Sequence, residues 1–220
     1  MRARFIVFEG PEGGGKTLQA TRLAKSLRVA GQSVVLTREP GGTPVGEEIR
    51  DILLRKESYT MLPTTEALLM TAARAQHVGS VIHPALRDGM TVVCDRFTDS
   101  TLAYQGGGRG LPIEPLRSVQ QLATDGLEPD LRILLDVPVD IGLSRRMNQH
   151  GSMNRIDAAD LSFHERVRST FLALAAAEPN RWAVIDATLP AEDVARLVWH
   201  AVNRLSTHTA EGVTSETLAS

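Results

Sequence analysis

The sequence predicts an α/β fold, a five-stranded parallel sheet with helices on both faces, and three observations predict it. Short apolar runs alternate along the chain with segments of helical periodicity. Within the runs the apolar residues are consecutive and rich in Val, Ile and Leu, as strands buried on both faces require. Neither an internal repeat nor an interior linker divides the 220 residues, so a single domain over residues 1–206 is expected.

Taken in order, Phe5 to Phe8 (FIVF) is a β-branched and aromatic run that stops at a glycine turn, and reads as the first strand. Leu18, Leu23, Ala24 and Leu27 then recur at helical spacing, so residues 16–30 form a helix closed by Gly31. Ser33 to Thr37 is the second strand. Gly41, Gly42 and Pro44 make a loop ahead of a helix over 45–55. Pro63 opens a long helical stretch to Gly89, broken near Pro84, and Thr91 to Asp95 is the third strand. The run GGGRGLP, residues 106–112, reads as a flexible loop before a helix over 113–126. Leu131 to Val137 is the fourth strand and 139–147 a helix. Residues 148–159, polar with glycine, read as a mobile surface segment. A helix over 161–177, a fifth strand over 182–186 and a helix over 190–205 complete the domain. Residues 207–220 are rich in Ser, Thr and Ala, and are expected to form a disordered tail.

Composition narrows the function classes. The formal charge of −2 supplies no net positive field for nucleic acid or an anionic membrane, so neither is expected as a partner. The single cysteine, Cys94, excludes an internal disulfide and suits a reducing cytoplasm. The apolar run near the N-terminus stops at Glu9, too short for the core of a signal peptide, and none approaches the length of a membrane span.

The stretch GPEGGGKT, Gly10 to Thr17, matches G-x-x-x-x-G-K-[ST] in full, with a strand before it and a helix after. Gly10, Gly13, Gly14 and Gly15 let consecutive backbone N–H groups turn toward one anion, and the helix N-terminus adds the positive end of its dipole. The Lys16 amine reaches β- and γ-phosphates, and the Thr17 hydroxyl is a ligand for Mg²⁺. The spacing thus predicts a nucleoside triphosphate, with ATP and Mg²⁺ as the expected pair, on a P-loop NTPase-type three-layer fold. A P-loop alone serves kinases, GTPases and motors alike. No guanine-reading N-K-x-D is present and the length leaves no room for motor modules, which leaves a small enzyme that moves the γ-phosphoryl onto another small molecule.

Two further segments leave strand ends: TREPGGT, Thr37 to Thr43, and CDRFTDSTLAYQGGGRG, Cys94 to Gly110. The C-terminal strand ends of such a sheet form its ligand crevice, which Arg38 and Arg96 would face. Two guanidiniums there suit an acceptor that is itself phosphorylated. A monophosphate attacks with an oxygen already largely ionised, its second pKa being about 6, and needs no strong base. A nucleoside hydroxyl needs one, and Glu12, Glu39 and Asp95 are candidates. Arg145, Arg146 and Arg155 flank or lie within RRMNQHGSMNRID, where a movable arginine would meet charge on the transferred phosphoryl and a closing lid would exclude water.

The set FEGPEGGGKT, TREPGGT, LLMTAARAQH, DRFTDSTLAYQGGGRG, PDLRILLDVP and NRID, in this order, resembles the bacterial thymidylate kinases over nearly the whole chain to about Ala187. The resemblance implies transfer of the γ-phosphoryl of ATP to dTMP, giving dTDP and ADP for dTTP synthesis. It also implies Mg²⁺, a homodimer and a short lid near 147–159. It sets Lys16 and Thr17 at the triphosphate and metal, with Asp95 near the metal. Glu12 would meet the 3′-hydroxyl of the acceptor sugar, and Arg38 and Arg96 the dTMP phosphate. Arg74, Ser100 and Thr101 would read the thymine edge with Gln105 close by, Pro40 would wall the base pocket, and Tyr104 would lie against the deoxyribose. Ala187 and Thr188 fall where the family holds adenine. The P-loop lacks the arginine that some members carry, so catalysis would draw on Arg155 and Arg145.

Three departures stand out. Met70 and Thr71 occupy the region where the family has an aromatic residue over thymine; Met70 either covers the base face or packs in the core. Leu18 replaces a second hydroxyl after Lys-Thr, and Gln149 and His150 make the lid poorer in arginine. A kinase for another deoxynucleotide or deoxynucleoside, and a nucleotide-binding protein without transferase activity, are the alternatives.

Overall fold

A computed structural model describes residues 3–55, 60–150 and 154–211. Five strands, β1 (Phe5–Glu9), β2 (Val34–Arg38), β3 (Thr91–Asp95), β4 (Leu131–Asp136) and β5 (Trp182–Asp186), form one sheet in the order β2-β3-β1-β4-β5, with every pairing parallel. The three central strands are buried along nearly their whole length, hence their unbroken apolar sequences.

Alternation along β1 assigns the two faces. Ile6 and Phe8 point into a core with Ala20, Leu23 and Leu27 of α1 (Lys16–Val29) and Val194, Val198 and Val202 of α9 (Ala191–Glu211). Phe5 and Val7 point to the other side, into a cluster with Val78, Ile82, Ala85 and Phe97. Beside it Leu134 meets Tyr104, Phe163, Val167 and Phe171, the last three residues lying on α8 (Leu161–Ala177). Each buried Val, Leu, Ile or Phe among them contributes about 1.5–3 kcal/mol.

Local chemistry fixes the helix starts near the site. Thr43 caps α2 (Pro44–Leu54), its hydroxyl accepting the Gly46 N–H at 3.0 Å with Pro44 at the first position. Asp160 caps α8 by accepting the Phe163 N–H at 2.7 Å. The long stretch from Pro63 divides into α3 (Pro63–His77), a π-helical turn over Val78–Ile82 and α4 (His83–Arg87), so the break falls ahead of Pro84.

Three expectations change. The run Gly106–Gly108 is not a flexible loop: α5 (Thr98–Thr101) passes into a π-helical turn over Leu102–Gly108, followed by α6 (Ile113–Thr124). Its glycines serve close packing, since a Cβ on Gly107 would lie 1.9 Å from Thr170 Oγ1 of α8. Residues 154–159 are a packed turn rather than a mobile surface, with Ile156 and Asp157 buried, while α7 (Val139–His150) runs further than its apolar pattern suggested. α9 continues through Thr207 to Glu211, since no Gly or Pro interrupts it before Gly212. The remainder of the expected tail, residues 212–220, the lid residues 151–153, and the side chains of Gln149 and His150 lie outside the described residues.

Candidate active site

The C-terminal ends of β1, β2 and β3 open onto a crevice of about 500 Å³, a size suited to small-molecule ligands. One wall is the Gly10–Thr17 loop. A Cβ on Gly13 would lie 2.0 Å from the Gly142 carbonyl oxygen of α7, so only glycine lets the loop seat there. Gly15 takes the left-handed conformation, φ 80°, that turns the chain into α1.

Lys16 folds back under this loop, its Nζ donating to the carbonyls of Gly10 at 3.0 Å and Pro11 at 2.7 Å. Burial, and then the neighbouring Arg96 cation, pull its amine down to about 8. Thr17 Oγ1 donates to Asp95 Oδ2 at 2.5 Å. A hydroxyl and a carboxylate so close, beside a phosphate-binding loop, form a hard-oxygen donor pair that fits Mg²⁺, which takes one or two protein ligands and completes its shell from phosphates and water. Among the described residues no cluster of three His, Cys, Asp or Glu could hold a metal without such help.

Arg96 occupies the centre. Its backbone is left-handed, φ 72°, directly after β3, which turns the side chain back across the crevice. One nitrogen donates to the Gly10 carbonyl and to Ser100 Oγ, each at 3.2 Å, and the other to Glu12 Oε1 at 3.1 Å. The guanidinium stands 4.9 Å from the centre of the Tyr104 ring, whose hydroxyl donates to Glu12 Oε2 at 2.6 Å. Burial opposes ionisation of Glu12, yet Arg96, then His164, Lys16 and Tyr104, together draw its carboxyl down to about 2. His164 of α8, which the motifs did not flag, is buried with Nδ1 3.8 Å from Glu12 Oε2.

Behind Arg96 lies Glu9, fully buried at the end of β1. Its Oε1 accepts the N–H groups of Phe97 at 2.9 Å and Ser100 at 3.2 Å, and its Oε2 lies 2.5 Å from Ser100 Oγ. Burial, then the Asp99 carboxylate, push Glu9 up to about 8.

The far end of the crevice is built by α2, α3 and the Thr98–Gly108 segment. Arg74 donates through Nε to Glu39 Oε2 at 2.7 Å, through one amino group to Thr101 Oγ1 at 2.9 Å and to Gln120, and through the other to the Phe97 carbonyl at 2.8 Å. Four of its five N–H groups are thereby engaged. Gln105 donates to the buried Glu66 at 2.7 Å, Pro40 follows a cis peptide, and Met70 lines the crevice while packing on the Tyr104 and Phe163 cluster. Met70 thus packs in the core and also borders the crevice. Thr71 faces away, its hydroxyl donating to the Ala67 carbonyl and accepting from Gln120.

Arg38 lies at the rim, half exposed, with both oxygens of Glu47 within 3.0 Å. Arg50 of α2 lines the crevice with it and donates to the Pro40 carbonyl at 2.8 Å. It carries a cation into the site from one turn beyond Glu47, and only its helical phase from the TREPGGT loop could have signalled it.

The late arginines divide otherwise than expected. Arg155 is turned from the crevice: Nε donates to the Leu53 carbonyl at 3.1 Å and its guanidinium stands 2.7 Å from Glu66. Arg145 donates to the carbonyls of Ala187 at 2.7 Å and Thr188 at 3.4 Å, which gathers those three residues outside the crevice. Neither Arg155 nor Arg145, the two late arginines expected to be catalytic, lines the crevice in this structure. Arg146 is the one that lines the crevice, held by the buried Asp157 at 2.9 Å.

A glycine loop feeding a helix N-terminus, facing a second wall of arginines across one crevice, defines a P-loop phosphotransferase. The family model described as thymidylate kinase matches residues 8–198. A thymidylate kinase of Thermomicrobium roseum is 56% identical over 201 residues, covering 91% of this chain and 95% of that protein. One from Geobacter sulfurreducens is 56% identical over 187 residues, covering 83% and 88%. The crystal structure of thymidylate kinase from Ehrlichia chaffeensis superposes with a TM-score of 0.75 at 33% identity, covering 92% of this chain and 99% of that one. The chain belongs to the thymidylate kinase family.

Proposed function

We propose that the crevice holds ATP and dTMP end to end, with the transferred phosphoryl between the Gly10–Thr17 loop and Arg96. As a member of its family the protein is a kinase, ATP its phosphoryl donor and dTMP its acceptor. One observation carries the arrangement: Arg96 touches the Gly10 carbonyl and Glu12 on the donor wall while lying beside Tyr104 and Ser100 on the acceptor wall. A phosphate bound there would lie within reach of both nucleotides.

In the reaction an oxygen of the dTMP phosphate attacks the γ-phosphorus, the bond to the β–γ bridging oxygen breaks, and ADP leaves with that electron pair. The acceptor oxygen is already ionised at neutral pH, its second pKa being about 6, so no protein base is required. The carboxylates agree with this. Glu12 is held near 2 and so is a poor base, Glu39 is engaged by Arg74 and His77, and Asp95 accepts from Thr17. Thr17 and Asp95 would hold Mg²⁺, which when bound neutralises charge on the β- and γ-phosphates. Lys16 reaches the same phosphates once released from its two carbonyls, and Arg146 meets the transferred group from the lid side. Arg145, Ala187 and Thr188 form the rest for the donor base. Arg38, Arg50 and Arg96 hold the acceptor phosphate. Glu12 and Tyr104 border its sugar, and Pro40, Met70, Arg74, Thr101 and Gln105 its base.

The protein acts as a homodimer in the supply of dTTP. Exposed Leu62 and Leu68 at α3 and Leu122 on the adjoining α6 support a self-association face. No helix among the described residues is long and apolar enough to cross a membrane, and a cytoplasmic setting fits the free thiol of Cys94.

Turnover with ATP and Mg²⁺, coupled to ADP release, tests the reading with dTMP, dUMP, dCMP, dGMP and thymidine as acceptors. dTMP is the acceptor with the highest kcat/KM. Phosphorylation of thymidine without dTMP, or ATP binding with no ADP formed in the presence of dTMP, would overturn it.

A further inference from the structure

The last residue of α3, His77, has no exposure and lies off the crevice, yet it joins the crevice's two acceptor-side segments. Its Nδ1 lies 2.9 Å from Glu39 Oε1, and its Nε2 lies 2.6 Å from Thr37 Oγ1. The other oxygen of Glu39 takes the Arg74 Nε–H at 2.7 Å. Glu39 and Arg74 are themselves 4% and 2% exposed, so His77, Glu39 and Arg74 form a chain almost without water, with the part-buried Thr37 at its outer end. The carboxylate only accepts, so Nδ1 carries a proton and donates to Glu39. The TREPGGT loop closes on the same ring: a Cβ on Gly42 would lie 2.7 Å from His77 Nε2 and 2.8 Å from Thr37 Oγ1. The backbone of Glu39 is pinned as well, its N–H donating to the Asp95 carbonyl at 2.9 Å.

We propose that His77 is a positioning residue for acceptor selection: by holding Glu39 it fixes the orientation in which Arg74 presents its remaining N–H to the acceptor base. This rests on the placing of that base at Arg74. A thymine offers a carbonyl oxygen at the ring position where cytosine carries an amino group. A guanidinium N–H aimed at that position accepts the first and repels the second, but only while the guanidinium cannot swing. Thr101, Gln120 and the Phe97 carbonyl hold its amino ends, and Glu39 alone holds Nε. Without His77, Glu39 keeps one anchor fewer, and the hold on Nε slackens first. The energetic logic is that of a site built to pair one polar group, which rejects the analogue lacking it.

Two replacements separate this role from mere packing. The amide nitrogen of Asn in His77→Asn falls near the position of Nδ1 and keeps the donor to Glu39, whereas His77→Gln reaches toward Nε2 and loses it. Steady-state kinetics with dTMP and dCMP, and thermal unfolding, are measured for both variants and for Arg74→Lys. In His77→Gln, KM for dTMP rises about tenfold and the preference for dTMP over dCMP falls about tenfold, while kcat and KM for ATP stay within about twofold. In His77→Asn the preference stays within about threefold of the parent. Equal defects in the two variants, or a fall in melting temperature with selection intact, would overturn the proposal. If His77→Gln does not fold, Glu39→Asp, which keeps the charge but shortens the arm to Arg74, must show the same selective loss, and an unchanged preference there refutes it. Arg74→Lys separates the two levels. A normal KM and preference in that variant would remove the base from Arg74 and His77's role with it. A defect there with none in His77→Gln would overturn the role of His77 alone.

Discussion

The guanidinium of Arg96 stands 3.1 Å from the Glu12 carboxylate, and this pair ties the strand-end arginine to the phosphate loop. Replacing Arg96 by Ala removes the cation we propose for the acceptor phosphate and leaves Glu12 buried without its main counter-charge. The KM for dTMP then rises about 100-fold, the loss of about one charge-assisted bidentate contact, with KM for ATP changed less than about threefold. A defect confined to ATP would contradict the placement of Arg96. Stability carries a second signature. The Glu12 carboxyl is held at about 2 against 4.5 for the free side chain. The folded state therefore binds fewer protons than the unfolded state between those values. Its contribution, on the order of 3 kcal/mol, is complete above pH 4.5 and is lost as pH falls toward 2. Urea unfolding between pH 3 and 6 shows that slope in the parent and a flatter one in Arg96→Ala.

Lys16 gives a pH slope of the same sign at the other end of the scale, but there the shifted group weakens the fold instead of supporting it. Its amine is lowered to about 8 from 10.5, first by burial and then by Arg96. The folded chain binds fewer protons than the unfolded chain between pH 8 and 10.5, so ligand-free stability gains from this group as pH rises through that window, and below pH 8 the buried cation weakens the fold. A triphosphate supplies the missing counter-charge. Thermal unfolding from pH 7.5 to 10 accordingly shows ATP stabilising the protein most at the lower end. Lys16→Ala abolishes turnover, a loss of about 10³-fold or more, while its ligand-free melting temperature at pH 7.5 equals or exceeds the parent's. A variant that kept most of its rate would refute the P-loop assignment.

Glu9 sits where a charge is hard to keep. Burial, then Asp99, raise its carboxyl to about 8, so the protonated form prevails at neutral pH. In that form Oε2–H would become the donor in the 2.5 Å contact where Ser100 Oγ otherwise donates to the carboxylate, while Oε1 keeps the Phe97 and Ser100 N–H groups and the turn that holds Arg96 stays anchored. Gln copies this pattern of donor and acceptor. Glu9→Gln therefore keeps kcat/KM for dTMP within about threefold, whereas Glu9→Ala loses about 30-fold or more with two buried N–H groups left unpaired. For Glu9 the folded pKa exceeds the unfolded one, so its stabilising share is whole below about pH 4.5 and lost as pH rises through 8. Glu9→Gln removes that share of the slope, which chemical denaturation at pH 5 and pH 9 measures.

The parts of this site that the sequence made legible are those where chemistry is contiguous. GPEGGGKT, TREPGGT and the segment after β3 each carry their crevice-lining residues within a few positions of a strand end, and parallel topology then brings the strand ends together. What escaped depends on long-range partners or on helical phase. His77 and Glu39 meet across 38 positions of sequence, and no spacing rule connects them. Arg50 differs from an unremarkable surface arginine only by the side of the helix it occupies, and Arg146, named together with Arg145 and Arg155, is told from Arg145 only by the same feature. Successive helical residues point about 100° apart, so the exchange of Arg145 for Arg146 turns on a single residue of phase, even with α7 starting at Val139 as its spacing predicts. The glycines at 106–108 misled for a related reason. Glycine marks a flexible turn and a tight helix contact equally, and Thr170, which decides between them, lies on another helix.

That exchange of arginines leads to a test that separates position from charge. Arg146 lines the crevice and is braced by Asp157 at 2.9 Å, while Arg155 is bound up with Glu66 and the Leu53 carbonyl. Glu66 is 1% exposed and also takes Gln105 and Arg109, whose hydrogen bonds hold its carboxyl below the usual range despite burial. Removing Arg155 leaves that carboxylate with partners but one cation fewer. Arg155→Ala is therefore a stability variant, costing about 1–3 kcal/mol, with kcat within about threefold. In the proposed arrangement Arg146→Ala withdraws the cation on the lid side of the transferred phosphoryl and lowers kcat about 100-fold or more at saturating ATP and dTMP. Arg146→Lys recovers part of that loss, because charge survives where the planar fork does not. Single-turnover measurements, which isolate the transfer step from product release, decide the matter. A full loss of the transfer rate in Arg155→Ala with Arg146→Ala near normal would return the catalytic cation to Arg155, and would mean that the Glu66 pair opens before the phosphoryl moves.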